Sequence, residues 1–393
     1  MAVLAAIRDE LMGGRALKGL RIGMALHTEA KTGVLALAIR DAGAQVRLAS
    51  CNPLSTDDSV VAALRAEGLD VYAKKWESEK EYDENLQKVL DLRPHLVIDD
   101  GGDLIFRLHT SRTELLRDVI GANEETTTGI VRVRAMEKQG KLRFPVVDVN
   151  DAMTKHLFDN RYGTGQSTMD GIMTATNLLI AGKRFVVAGY GWCGRGIAMR
   201  ARGMGAHVVV TEVDPVKAIE AKLDGFEVMP MLDAAKRADF IVTATGDKGV
   251  VTAKHLRAVR DGCVLANAGH FNVEVSMEDL ESLAVRKRRV REYVDAYELR
   301  GKKTVYVLTE GRLVNLAAGQ GHPVEIMDMS FSIQALSADL LARRGRKMEP
   351  RVHPVPREID EKVARLWLRA RGVRIDALTP AQRKYLASWT EGT

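Results

Sequence analysis

The sequence predicts an α/β protein built as two doubly wound parallel-sheet domains. Three observations predict it. The chain has 393 residues, long for a single core. Short apolar runs alternate with helical patterns in both halves, which marks parallel βαβ units. A glycine-rich turn, "VVAGYGWCGRG" at 186–196, falls near mid-chain, behind a complete earlier series of such units.

In chain order, "MAVLAAIRDELMGG" reads as an amphipathic helix, because Asp9 and Glu10 stand where a signal peptide would be apolar. "LRIGMAL" (20–26) reads as a strand, followed by a helix over about 30–42. Strands at 44–50 and 70–74 alternate with helices at 58–68 and 78–92, and "HLVIDDGGD" (95–103) is a strand running into a loop. In such sheets the ligand crevice lies outside the carboxyl ends of the strands. His27, Asp99, Asp100, Asn150 and Asp151 all fall there. The second series has a helix at 168–182 ended by Gly182 and a strand at 184–189. A helix at 195–205 and a strand at 207–214 follow, with further strands at 239–245, 263–269 and 304–309.

Composition narrows the function. The chain is 46% hydrophobic and 28% charged, ordinary for a globular protein. Its net charge is +6, but the basic residues are dispersed and the aromatics are few, so no nucleic-acid partner is expected. "RKRRVRE" (286–292) reads as a solvated helix face and "RRGRK" (343–347) as a basic loop. Cys51, Cys193 and Cys263 are odd in number and widely spaced. They argue against disulfides or a zinc site, suit a reducing cytoplasm, and leave no metal expected. No apolar run reaches membrane-spanning length, so no membrane partner is expected.

Gly189, Gly191 and Gly194 give G-x-G-x-x-G between a strand and a helix. The first makes the turn, the second admits a pyrophosphate, and the third lets helix pack on strand. Glu212 ends the next strand, where a carboxylate can hold ribose hydroxyls and would repel a 2′-phosphate. The constellation predicts a Rossmann domain that binds NAD rather than NADP.

Nine stretches then match one family in order: "SCNPLSTDD", "DDGGDL", "EETTTG", "VNDAMTKHLFDNRYG", "AGYGWCGRG", "TEVDP", "AGHFNVE", "EGRLVNLAAGQGHP" and "DMSFSIQAL". From about 20 to 390 the chain resembles the S-adenosylhomocysteine hydrolases. The resemblance implies NAD chemistry without net redox. Tightly held NAD oxidises the ribose 3′-OH, the neighbouring C4′–H becomes acidic, homocysteine leaves from C5′, water adds, and the ketone is reduced back. It implies a nucleoside thioether substrate, a first domain over 1–163, an NAD domain over 164–322 and a return segment over 323–354 across a two-strand hinge. A C-terminal oligomerisation segment at 355–393 and a homotetramer complete the expectation.

Residue by residue, the resemblance makes Lys155 the acceptor of the 3′-OH proton, with a pKa lowered by burial and a cationic nicotinamide. Four residues apart, Lys155 and Asp159 would share a helix face. Asp159 and Glu125 hold the ribose hydroxyls, Asp100 serves the C4′ proton, and His27 the 5′ leaving group. Thr126, Thr127, Thr128 and Asn160 contact the cofactor, as do Arg195, Gly196, Lys217, Ala268 and Gly269. His270 belongs to the same loop with a catalytic role, and Asn315 and His322 lie near nicotinamide and base.

Four positions depart from the family pattern. Lys31 stands where an acidic residue accepts the adenine amino group. A lysine suits a keto oxygen, so an S-inosyl thioether becomes a second expected substrate, unless Lys31 points outward and Glu29 takes over. The C-terminus stops at "YLASWTEGT", and Lys384 and Tyr385 have no clear claim to the family's tail contacts with a neighbouring NAD. Thr164 replaces a cysteine, and Lys217 replaces an asparagine. Two other readings compete: an ordinary NAD-dependent dehydrogenase, and a non-catalytic NAD-binding regulator. The combination of Asp100, Glu125, Lys155 and Asp159 outside the cofactor turn disfavours both.

Overall fold

The computed structural model describes residues 1–390; the last three residues of the expected C-terminal segment, 391–393, lie outside the described residues. Two sheets organise the chain. The first runs in the order Val352–Pro354, Val146–Asp148, Gly121–Glu124, Leu96–Asp99, Arg21–Ala25, Gln45–Ala49, Asp70–Tyr72. All its strand pairs are parallel. Strand order reverses between Arg21–Ala25 and Leu96–Asp99, so His27 and Asp100 emerge side by side at the switch point.

The second sheet is parallel from Glu227–Val228 through His207–Thr211, Arg184–Ala188, Phe240–Thr243 and Cys263–Asn267 to Lys303–Leu308. Its reversal lies between Arg184–Ala188 and Phe240–Thr243, which places the glycine turn at the crevice. Two antiparallel strands, Val294–Leu299 and Ala284–Arg291, complete it.

Three sequence expectations are corrected here. Residues 286–292 belong mainly to the edge strand Ala284–Arg291 and its turn, not to a helix. They lack a 3.6-residue apolar stripe, and an arginine-lined edge resists pairing with another sheet. The helix expected at 168–182 spans Thr164–Thr176 and ends on Asn177, whose left-handed φ of 54° stops it. Gly182 serves instead a turn before the next strand. The basic loop at 343–347 is the end of the helix Val324–Arg344 followed by a 3-10 turn.

That 21-residue helix runs through the first half, with most of its length buried. The N-terminal helix Ala2–Gly14 packs Leu4, Ile7 and Leu11 into the same core. Asp328 on the long helix accepts the free N–H groups of Val3 and Leu4 at 3.1 and 2.9 Å, capping the first helix from a distance.

Candidate functional site

A cavity of about 1340 Å³ lies between the two sheets' switch points. His27, Asp100, Glu125, Lys155 and Asp159 line it from the first half, with the turn at Gly189 and Gly191 opposite.

Lys155 stands on a helical passage, Met153–Lys155 continuing as a π-helix over His156–Gly163 and then Thr164–Thr176. The wide π turn brings groups five apart together, so Lys155 Nζ donates to Asn160 Oδ1 at 2.8 Å. Asp159 Oδ1 lies 3.7 Å away and Glu125 Oε1 3.5 Å. Lys155 and Asp159 thus share a face, but of a π-helix. Glu125 also accepts from Ser330 Oγ at 2.6 Å and Gln334 Nε2 at 2.5 Å.

Burial works to lower the Lys155 pKa, but Asp159, Glu125 and Asp100 outweigh it and hold it above the usual lysine range. This reverses the direction expected from burial. Asp159, despite burial, is held below the usual carboxylate range by Lys155 and His322. Burial pushes Glu125 up. His322 Nδ1 lies 2.8 Å from Asp159 Oδ1, and its Nε2 is approached at 3.3 Å by both Thr164 Oγ1 and Asn315 Nδ2.

At the other end, Asp100 sits between two histidines. His27 Nε2 is 3.5 Å from Oδ2 and His270 Nδ1 is 3.5 Å from Oδ1. The approach of His270 needs Gly101, whose φ is +106° and whose Cβ would come within 2.4 Å of His270 Nε2. Burial lowers the His27 pKa to about 4 against the pull of Asp100, with His270 adding to the fall. His27 is therefore neutral at pH 7, with Nδ1 2.6 Å from Ser55 Oγ.

Cys51 Sγ lies 3.3 Å from His27 Nδ1 and 3.7 Å from Asp100. Cys51, His27 and Asp100 bring ligand atoms within 4.8 Å of one another, a donor set able to take a metal ion that cysteine spacing did not reveal. Behind them, burial raises Asp99 to about 7 and Glu124 well above its usual range.

The second half fits a dinucleotide. Gly189 has φ +97°. A Cβ on Gly191 would meet nothing, whereas one on Gly194 would lie 1.9 Å from Gly189 O, so Gly194 needs its bare backbone for packing and Gly191 leaves open space. Gly191 opens the helix Trp192–Gly203 with no side-chain cap, leaving N–H groups for phosphate. Gly196 faces Arg161 O, 1.8 Å from its would-be Cβ, and does not line the cavity. Arg195 pairs with Glu220 and lies 4.5 Å over the Trp192 ring.

Glu212 accepts backbone N–H groups of Tyr190 at 2.6 Å and Val213 at 2.7 Å, while Lys217 pairs with Asp214 at 3.8 Å. Thr126, Thr127, Ala268 and Gly269 line the cavity. Thr128 Oγ1, Asp159 Oδ2 and Asn315 Oδ1 are buried on its wall without partners, as acceptors and donors for a bound group would be.

Lys31 does not point outward. Its Nζ donates to Gln320 O at 3.0 Å and lies 2.7 Å from Glu29. Glu29 in turn caps its own helix through the N–H groups of Lys31 and Thr32. Lys384 and Tyr385 lie on the helix Pro380–Leu386, which buries no residue.

A Rossmann half opposed to an α/β half rich in buried acids and one buried lysine defines an NAD-dependent enzyme of small polar substrates. The chain belongs to the S-adenosyl-L-homocysteine hydrolase family. The family's NAD-binding domain matches residues 160–321 and its hydrolase domain 1–118. The chain is similar to the S-inosyl-L-homocysteine hydrolase of Methanocaldococcus jannaschii, 57% identical over 100% of this chain and 94% of that one. It is 56% identical to the adenosylhomocysteinase of Thermoplasma volcanium, over 100% of this chain and 96% of that one. With the S-inosyl-L-homocysteine hydrolase of Methanopyrus kandleri it shares 54%, over 100% and 93%. The chain is an enzyme that hydrolyses a nucleoside–homocysteine thioether, and its cofactor is NAD. Among the described residues no helix is long and apolar enough to cross a membrane.

Sequence reasoning did not single out Cys51, Ser55, Ser330 or Gln334. The last two lie within "DMSFSIQAL", where two polar residues four apart in a buried helix were the available signal.

Proposed function

We propose that Lys155, Asp159, Glu125, Asp100 and His27 carry the hydrolysis. The supporting observation is a buried lysine amine held among Asn160, Asp159 and Glu125 on the wall that faces the glycine turn. The turn at Gly189, Gly191 and Gly194 would hold NAD, which would supply reversible hydride chemistry at C3′ and a positive charge opposing that of Lys155. Asp159 and Glu125 hold the ribose hydroxyls, and Lys155, in the deprotonated form that an adjacent cationic nicotinamide would favour, takes the 3′-hydroxyl proton. Asp100 then removes the acidified C4′ proton, and the C5′–S bond breaks. The C4′ proton passes from Asp100 through the neutral His27, 3.5 Å away, to the departing homocysteine thiolate, and His27 later takes a proton from the water that adds at C5′ and hands it back to Asp100 for return to C4′. His270 closes over Asp100 and excludes bulk water from it. Free homocysteine released from the thioether tests this reading. Lys155→Ala should lower the rate by about a thousandfold or more, and retention of wild-type rates would refute the assignment.

The base preference follows from Lys31. A charged amine in this pocket donates to a keto oxygen and has nothing to offer an amino group. S-inosylhomocysteine is therefore a substrate beside, or ahead of, S-adenosylhomocysteine. A kcat/KM comparison of the two thioethers decides it; a large preference for the adenosyl compound ends the inosyl reading.

In this reading residues 1–163 and 323–354 form the substrate domain, 164–322 the NAD domain and 355–393 an oligomerisation segment. The enzyme works in the cytoplasm as a homotetramer. Exposed apolar side chains support self-association: Val216, Ile219 and Leu223 on one helix, and Leu386 and Trp389 near the C-terminus. Sedimentation equilibrium tests it.

A further inference from the structure

The helical passage that carries Lys155, Asp159 and Asn160 begins without a cap of its own. Its N-cap residue is Ala152, which has no side chain able to accept a hydrogen bond. A helix start buried without partners leaves free N–H groups at substantial cost. Here the partner comes from far along the chain. Asp360, on the helix Arg357–Ala370, accepts Met153 N at Oδ2, 2.6 Å, and Thr154 N at Oδ1, 2.8 Å. The Thr154 hydroxyl bonds to the same Oδ1. Asp360 is itself only 9% exposed.

We infer that Asp360 is a positioning residue for the reaction, acting through the helix that bears Lys155. The inference rests on the catalytic reading of Lys155 and Asp159 given above. Lys155 is the very next residue after the clamped pair. Its contacts depend on π-helical register: Asn160 lies five residues on and Asp159 four. A π-helix is a locally unfavourable winding that persists only where its surroundings hold it. The carboxylate fixes the first turn at both N–H groups, and its negative charge also suits the positive end of the passage. If the first turn rotates or frays, the amine moves off Asn160, Asp159 and Glu125 together. A displacement near 1 Å at a catalytic group costs about a hundredfold in rate.

The same contact gives the C-terminal region a role inside its own subunit. The helix Arg357–Ala370 packs on the helix Val324–Arg344 and on the start of the passage, burying Val363 in the first-half core.

The test uses the full-length holoenzyme. Asp360→Asn keeps the volume, removes the charge and sets an amide N–H2 against a backbone N–H. It should lower kcat roughly 10- to 100-fold, leave KM within about threefold and the bound cofactor content unchanged, and shift the pH dependence of kcat. Unchanged kcat overturns the inference. So does a loss of activity that merely follows the loss of folded protein, with KM and pH profile as in the wild type. Should Asp360→Asn fail to fold, Thr154→Val decides, because it removes only the hydroxyl bond. A several-fold lower kcat at unchanged KM supports the inference, and a wild-type kcat overturns it. Lys155→Ala, measured alongside, separates the two readings. An active Lys155→Ala enzyme refutes the catalytic reading and the inference with it. An inactive one beside a fully active Asp360→Asn enzyme refutes only the positioning role.

Discussion

Trp76 and Tyr293 stack across the cleft, ring centroids 6.2 Å apart and 14° from parallel, one from the loop after the first sheet's edge strand and one from the turn of the second sheet's edge hairpin. Lys75 Nζ donates to the Tyr293 hydroxyl at 3.0 Å, and Arg289 lies 5.9 Å over the Trp76 ring. Trp76 N donates to Pro53 O at 3.1 Å, which ties the contact to the loop that carries Cys51 and Ser55. Tyr293→Ala removes the stack and the hydroxyl acceptor together. An aromatic pair and a charge-assisted hydrogen bond are worth about 1–2 kcal/mol, so the contact between the two halves should weaken roughly tenfold. Small-angle scattering should report a larger radius of gyration for the variant, with faster nucleoside release. An unaltered radius and release rate would show that the contact carries no closure energy.

Gly196 gives a packing prediction. A Cβ there would lie 1.8 Å from Arg161 O, and the neighbouring Gly165 would meet Gly196 O at 2.5 Å. Backbone on both sides leaves nothing flexible to yield. Gly196→Ala should therefore destabilise the protein by about 2 kcal/mol or more and lower cofactor content, because the crossing joins the helical passage that carries Lys155 to the helix after the glycine turn. A melting temperature within a degree of the wild type would contradict it.

How far the sequence reached depends on the kind of signal. The strands ending at Ala25, Asp99 and Ala188 are short, apolar and bounded by turn residues, so periodicity and the carboxyl-end rule located His27, Asp100 and the glycine turn. The hairpin after Ala284 was misread because its strand is exposed and basic, without the alternation that marks a strand. The π winding after Lys155 leaves no local signature, since its start is held by Asp360, 206 residues beyond Thr154 in sequence. The sign of the Lys155 shift was missed for a related reason. It depends on three carboxylates brought together only by folding.

His27 predicts a pH dependence of stability. Its pKa falls from 6.5 in the unfolded chain to about 4 in the fold, chiefly by burial. Between these values the unfolded chain binds the proton and the folded one does not, so stability rises with pH through that window. The contribution is complete above about pH 6.5 and lost as the pH falls to about 4. The shift corresponds to about 3 kcal/mol as an order of magnitude. His27→Gln cannot titrate, so denaturant midpoints measured from pH 4 to 6.5 should climb less steeply than in the wild type. Parallel curves would mean that His27 titrates normally in the fold.

Lys31 sets the last prediction. Its amine is fixed by Gln320 O at 3.0 Å and Glu29 at 2.7 Å, and Gln320 belongs to the segment returning from the second sheet. Lys31 therefore presents a donor on the cavity wall, while the Glu29 carboxylate is already engaged by the Lys31 and Thr32 N–H groups. A site with a fixed donor rejects the base that offers it only another donor, since a buried polar group is then left unpaired. Lys31→Gln places both a donor and an acceptor there. The ratio of kcat/KM for inosyl over adenosyl thioether should fall by about 10- to 100-fold, chiefly through improved use of the adenosyl compound. A ratio unchanged by the substitution would show that the base is read elsewhere in the cavity.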